Sequence, residues 1–185
     1  MRHKSNELPD ALPTASSRPN PEDGNLDPAH YRKALSCFAT GVTVVTTRWQ
    51  DADWGMTCNS FASVSLEPRL VLWSIRKAVN SLEAFTKSEG FMVSVLAQHQ
   101  EGIARQFASG EMTARFAGVD TERQSSQRLR LTGAAAWFDC KTHQLVDAGD
   151  HYILIGEVQA FDQLDDASAL TFWRSRFGRF EDTTS

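Results

Sequence analysis

Hydrophobic and polar positions fall into short blocks along the chain, and most of the blocks have the spacing of strands. VTVVTTRW, 42–49, is rich in β-branched residues and predicts a strand; a DADWG turn follows, then a second strand through MTCNSFASVSLEP, giving a hairpin. Pro68 in EPR interrupts that pattern, and LVLWSIR, 70–76, is a nearly continuous apolar run that predicts a strand buried on both faces. FMVSVLA, 91–97, predicts another strand. AAAWFDCKTHQLV and HYILIGEVQAF read as two long strands around a tight turn, because Gly149 and Asp150 supply the backbone freedom that a turn needs.

Three segments have helical spacing. DPAHYRKALSCFATG offers Asp27 as N-cap, Pro28 at the first helical position, Tyr31, Leu35 and Phe38 on one face, and Gly41 as the stop. NSLEAFTKSEG sets Asn80 three residues before Glu83 in a capping-box arrangement, with Leu82 and Phe85 inward and Gly90 at the end. QHQEGIARQFASG places Ile103 and Phe107 on one face. Residues 108–130 are polar and weakly patterned and read as loop, while the closing SALTFWRSRFGRF is aromatic and basic. Strands outnumber helices, and helices do not follow every strand. This predicts a mainly β antiparallel barrel with flanking helices rather than a doubly wound parallel sheet. Residues 1–26, rich in Pro, Ser, Asn and charge, bury too little to offset ordering entropy and read as a disordered tail; 27–185 form the domain.

Composition narrows the partners. The 185 residues, 41% hydrophobic and 23% charged, suit one domain with a real core. A net charge of -4 and a pI near 5.7 give no electrostatic ground for nucleic acid or an anionic membrane. No apolar run nears the roughly 20 residues that span a bilayer, and the N-terminus lacks the apolar stretch of a signal peptide, so the expected location is the cytoplasm. Cys37, Cys58 and Cys140 lack CxxC spacing, and His30, His99, His143 and His151 are scattered. Free thiols and no metal site are expected.

GxGxxG, P-loop and GxSxG signatures do not occur. What remains is a concentration of uncharged hydrogen-bonding groups: Thr57, Asn59, Ser60, Ser63 and Ser65, with Ser74 and Arg76 at a strand end, Asn80 and Ser81 at a helix start, and Arg176 near the C-terminus. A planar, uncharged heteroaromatic ring with a phosphate tail needs such groups, and flavin fits that description. Asn59 and Ser60 also suit turn capping, and His151 after a Gly-Asp turn also suits a plain strand start. Arg176 and Phe177 read either as a solvated pair or as a lid over a ring and phosphate. Cys58 has no neighbouring base in sequence and reads as a small hydrophobe.

The order GVTVVTT, GMTCNSFASVSLEPRLVLWSI, NSLEAF, FMVSVLA, ARQFAS, AGDH and SRFG resembles the short-chain flavin reductases, the reductase components of two-component flavin monooxygenases, over about 30–178. The resemblance implies a split β-barrel related to the pyridoxamine-phosphate-oxidase-like flavin folds, a homodimer, and FMN or FAD near the subunit interface. It implies NADH- or NADPH-dependent flavin reduction that supplies a partner monooxygenase. Thr57, Cys58, Asn59 and Ser60 would line the ring, Ser74 and Arg76 would continue the site, Asn80 and Ser81 would meet the phosphate, and His151 the nicotinamide nucleotide. Cys58 and Ser175 stand where the family usually has Ala and Gly. No catalytic acid is required for hydride transfer between two cofactors. A same-fold enzyme that keeps its flavin bound and acts on another small molecule, and a non-catalytic flavin-binding dimer, are the alternatives.

Overall fold

The computed structural model describes residues 27–181, so the tail expected over 1–26 lies outside the described residues, as do the final four positions. In chain order the elements are α1 (Pro28–Leu35), β1 (Thr40–Gly41), β2 (Thr43–Trp49), β3 (Ala52–Cys58), β4 (Ala62–Leu66), β5 (Arg69–Arg76), α2 (Leu82–Lys87), β6 (Gly90–Val95), α3 (Glu101–Ala108), β7 (Thr121–Arg123), β8 (Leu129–Leu131), β9 (Ala136–Ala148), β10 (His151–Gln163), β11 (Leu170–Trp173) and β12 (Arg176–Arg179).

Seven strands form one antiparallel sheet in the order β3-β2-β6-β9-β10-β5-β4. Its two edges, β3 and β4, are consecutive in the chain and separated only by Asn59, Ser60 and Phe61. Laid flat, the edges would stand about 29 Å apart at about 4.8 Å per strand. Four Cα steps reach only about 15 Å. The sheet therefore curls until its edges approach, which is the mainly β, barrel-like architecture with flanking helices that the pattern predicts. A three-stranded sheet, β1-β11-β12, and the β7-β8 hairpin complete the fold.

β2 is buried on both faces. Val45 joins Trp73, Ile75, Phe85, Phe91 and Leu154 in one core cluster, where Trp73 meets Phe85 and Phe91 edge-on with centroids 5.0 and 5.8 Å away. Val44, pointing the other way, joins Leu96, Phe107, Leu131 and Leu170 in a second cluster. α2 supplies Phe85 to the first and α3 supplies Phe107 to the second.

Several expectations change. The expected second strand divides into β3 and β4 at opposite sheet edges, because the chain crosses the seam of the curled sheet at 59–61. The preceding turn is tighter than DADWG: Gln50 and Asp51 take φ of 49° and 59°, leaving Asp53, Trp54 and Gly55 in β3. β5 is not buried on both faces; Val71, Trp73 and Ile75 are buried, whereas Leu70, Leu72 and Ser74 are half-buried. Asp27 caps α1 as expected, but α1 ends at Leu35, and Gly41 pairs with Thr171 instead of stopping the helix. Tyr31, Leu35 and Phe38 stay 61%, 56% and 77% exposed. Asn80 makes no capping box; Ser81 holds the N-cap position of α2, but its hydroxyl makes no capping bond and donates to Met56 Sδ at 3.9 Å instead. Gly90 opens β6 rather than ending a helix, because its Cα packs against the Cys140 carbonyl and leaves no room for a Cβ.

The segment 108–130 is not plain loop. It holds a 3-10 turn at Met112–Ala114, all of β7 and the start of β8, fastened by tertiary bonds. Arg123 makes a two-point ion pair with Asp53 of β3 at 3.0 and 2.6 Å. The buried Thr46 hydroxyl donates to the Leu129 carbonyl at 2.5 Å, and the Ser94 hydroxyl accepts from the Leu131 N–H at 3.1 Å.

Candidate functional site

Thr57 and Cys58 leave β3 on opposite faces, as successive strand residues must. Thr57 Oγ1 donates to the Ala104 carbonyl of α3 at 2.7 Å. Cys58 packs against the first core cluster, its Sγ 3.1 Å from the Thr43 hydroxyl, which also donates to the Cys58 carbonyl at 3.0 Å. Burial pushes the Cys58 thiol pKa up against the opposing hydrogen bonds of Thr43 and Ser60, so the sulfur stays protonated and is no nucleophile.

Asn59 is exposed at the seam. The Ser60 hydroxyl accepts from the Ser74 N–H at 2.9 Å and donates to the Ser74 carbonyl at 3.3 Å, stitching the seam to β5. Ser74 and Arg76 lie on the face of β5 opposite Trp73 and Ile75. The register with β10 sets Ser74 beside Ile153 and Arg76 beside His151. His151 Nδ1 lies 2.7 Å from Asp150 Oδ1. A carboxylate only accepts, so Nδ1 carries the proton, and this hydrogen bond holds the Asp150 carboxyl below its ordinary range. Lys77 ties the same corner together, its ammonium 2.7 Å from Asp147 and its N–H bonded to the Asp150 carbonyl. Ser60, Ser74, Arg76 and His151 thus form one continuous polar row across β5 and β10.

A cavity of about 300 Å³ opens beside β3, lined by Thr57, Asn80, Ser81 and Arg115, with Met56 and Met112 among its walls. Arg115 lies in the polar segment 108–130, where no hydrophobic spacing or motif marks it in the sequence. It is fixed there by its neighbours: Gln106 Nε2 donates to the carbonyls of Arg115 and Ala117 at 2.9 Å, and Phe116 meets Phe107 edge-on at 5.0 Å. Arg115 Nη1 donates to the Gly55 carbonyl at 2.8 Å, while the Gly55 N–H donates to Met112 Sδ at 3.4 Å. The free backbone of the β3 edge is thereby covered. Arg115 Nε is buried without a partner, and burial alone lowers the guanidinium pKa, with no carboxylate acting on it. The lining contains no Asp or Glu.

Arg176 stands apart. It begins β12 in the smaller sheet, exposed, after a two-residue turn in which Arg174 and Ser175 take φ of 47° and 62°. Phe177 is engaged with Phe172 at 5.2 Å and with the Arg105 guanidinium 4.7 Å over its ring. Among the described residues no group of three or more His, Cys, Asp and Glu could hold a metal ion, and no helix is long and apolar enough to cross a membrane.

The family model described as flavin reductase like domain matches residues 35–181. The reductase component of a flavin-dependent trigonelline monooxygenase from Acinetobacter baylyi is 45% identical over 131 residues, 70% of this chain; the chain spans only 42% of that relative's length. An FMN reductase (NADH), SmoA, from Agrobacterium fabrum is 38% identical over 157 residues, covering 85% of this chain and 88% of that protein. Among solved structures, the NADH:FAD oxidoreductase SgcE6 of Streptomyces globisporus, in complex with NAD and FAD fragments, superposes with a TM-score of 0.82 at 37% identity, covering 86% of this chain and 96% of that one.

Proposed function

Because this chain belongs to the flavin reductase like family, we propose that it is an NAD(P)H:flavin oxidoreductase that reduces FMN or FAD and supplies the reduced flavin to a partner flavin-dependent monooxygenase. The observation that carries the reading is the composition of the site. A cavity whose polar lining is hydroxyls, an amide and an arginine, without a carboxylate, stands beside a row of polar groups, Ser60, Ser74, Arg76 and His151, held together by the β5-β10 register. The cavity itself offers no carboxylate to act as a base, and it suits a neutral ring with a phosphate tail. The orphaned Arg115 Nε and the carboxylate-free lining fit that group.

When bound, the two cofactors supply the chemistry, a hydride passing from nicotinamide to flavin. The protein's task is alignment and polarity. Thr57, Asn59 and Ser60 hold the ring edge, with Cys58 joining through its backbone because its side chain faces the core; Ser74 and Arg76 extend the site, and Asn80 and Ser81 meet the phosphate. His151, with Nδ1–H committed to Asp150, keeps Nε2 as an acceptor for the amide of a nicotinamide nucleotide.

The cavity lies at the small end of the range for ligand sites, which suits part of a flavin and leaves the rest to a second subunit. We assign a homodimer on that ground. The exposed Tyr31, Leu35 and Phe38 and the half-buried Leu70, Leu72, Ile153 and Ile155 support it, being apolar surface that one chain leaves uncovered. Arg176, remote from the cavity lining within one chain, then serves a site built by two. A cytoplasmic location accords with the three free cysteines.

The test is oxidation of NADH and of NADPH by purified protein with excess FMN and then FAD, counting turnovers per subunit. Many turnovers with free flavin are expected. One turnover per bound flavin would reassign the chain as an enzyme with tightly bound flavin, and no oxidation at all as a flavin-binding dimer.

A further inference from the structure

We infer that Arg115 is the residue by which this protein selects phosphorylated flavins over riboflavin. The inference rests on the flavin reading of the cavity and goes beyond it in naming the group that reads the phosphate. Among the described ionisable residues, Arg115 alone lines this cavity. It reaches there from the C-cap of the 3-10 turn after α3 and shares the lining with Asn80 and Ser81.

A guanidinium has five N–H donors. Two are spent on carbonyls, those of Gly55 at 2.8 Å and Gly110 at 3.3 Å, and Nε is buried with no partner at all. Carbonyl contacts fix the plane of the fork without neutralising its charge. Other partly buried arginines here are treated differently: Arg128 pairs with Asp139 at 2.8 Å, Arg123 with Asp53 at 2.6 Å and Arg130 with Glu122 at 2.6 Å. A half-buried cation that is held rigidly and left without a counter-ion is a binding site for an anion. The neutral donors that share the lining, the Asn80 amide and the Ser81 hydroxyl, the latter held only by a long bond to Met56 Sδ at 3.9 Å, suit the oxygens of a phosphate.

The fork is also kept in place from behind. Gln106 on α3 donates to the carbonyls of Ala114, Arg115 and Ala117 at 3.3, 2.9 and 2.9 Å, so three carbonyls within four residues hang on one amide. Gln106 is therefore a positioning residue, and Arg115 the group that touches the ligand. Riboflavin has the same ring and ribityl chain as FMN but no phosphate. Its binding uses Thr57 and the polar row and gains nothing from Arg115.

Binding is measured by quenching of flavin fluorescence, with FMN, FAD and riboflavin titrated into the purified protein. Wild type is expected to prefer FMN to riboflavin at least about tenfold. Arg115→Gln is expected to weaken FMN by roughly ten- to hundredfold and riboflavin by less than about threefold, so that the preference collapses; Arg115→Lys recovers part of it. Inorganic phosphate competing with FMN but not with riboflavin on the wild-type protein gives the same answer without any substitution, should the Gln variant fail to fold. Equal loss of FMN and riboflavin in Arg115→Gln, or no preference in wild type, overturns the inference and leaves Arg115 as a clasp on the β3 edge. A rise in KM confined to NADH or NADPH also overturns it, assigning the anion to the nicotinamide nucleotide. If wild type discriminates between the flavins yet oxidises no reduced nicotinamide, the proposed function fails and the phosphate site stands.

Discussion

At the scale of single residues the site is a matter of which polar atoms are already spoken for. Ser60 is consumed by Ser74 and Thr57 by Ala104, so these hydroxyls keep lone pairs rather than free protons for a ligand. His151 is committed at Nδ1 only. His151→Ala is therefore expected to raise the KM for reduced nicotinamide about tenfold or more, with flavin affinity changed less than about threefold; equal losses of both count against its nicotinamide role. The thiols separate by burial. Burial lifts the Cys140 pKa from 9.0 to about 12, with the Asp139 charge adding to it. The folded state thus favours the neutral thiol. Its stabilising contribution is complete below about pH 9 and is lost as pH rises towards about 12, roughly 4 kcal/mol over the whole window. Urea midpoints at about pH 8 and about pH 10.5 should reveal a fall of roughly 2 kcal/mol that Cys140→Ala lacks.

At the scale of elements, strands meet where side chains are absent. A Cβ on Gly156 of β10 would come within 2.5 Å of Phe91 Cζ and 2.8 Å of the Cys140 Cβ, both core atoms. Gly156→Ala should cost about 2 kcal/mol or more, read as a lower denaturant midpoint with an unchanged slope. The β11-β12 turn has the opposite defect. Ser175 holds a φ of 62°, the left-handed conformation that glycine adopts without strain. Ser175→Gly should raise stability by about 1 kcal/mol, a shift visible in thermal unfolding. Strands and helices were largely legible from spacing, because β-branched runs and the Asp27-Pro28 start act locally. The exceptions share a cause. Gly41, Gly90 and Asn80 have the composition of helix ends, yet strand pairing to Thr171 and close packing on Cys140 decide the first two. Asn80 instead lines the cavity.

At the scale of the whole molecule, the fold brings Thr57 together with Asn80 and Ser81 at one cavity and sets Arg76 beside His151 in the sheet, and it leaves apolar surface on α1 and on β5-β10 uncovered. Sedimentation at micromolar concentration should give twice the 20.6 kDa chain mass, and activity per subunit should fall on dilution below the dissociation constant. A monomer that is fully active with free flavin would show that one chain completes the site.

The sequence by itself determined the mainly β class, the Asp27 cap and the β9-β10 hairpin, since each follows from side-chain periodicity or turn chemistry within a few residues. It also supplied the hydroxyls and the amide of residues 57–65, which composition carries. Only the tertiary structure decided that one expected strand becomes two opposite edges, because sheet order depends on pairings far apart in sequence. The same holds for Arg115. Nothing in ARFAGV marks that arginine as a ligand group; it becomes one because Gln106, Gly55 and the β3 edge hold its charge, unpaired, against Asn80 and Ser81.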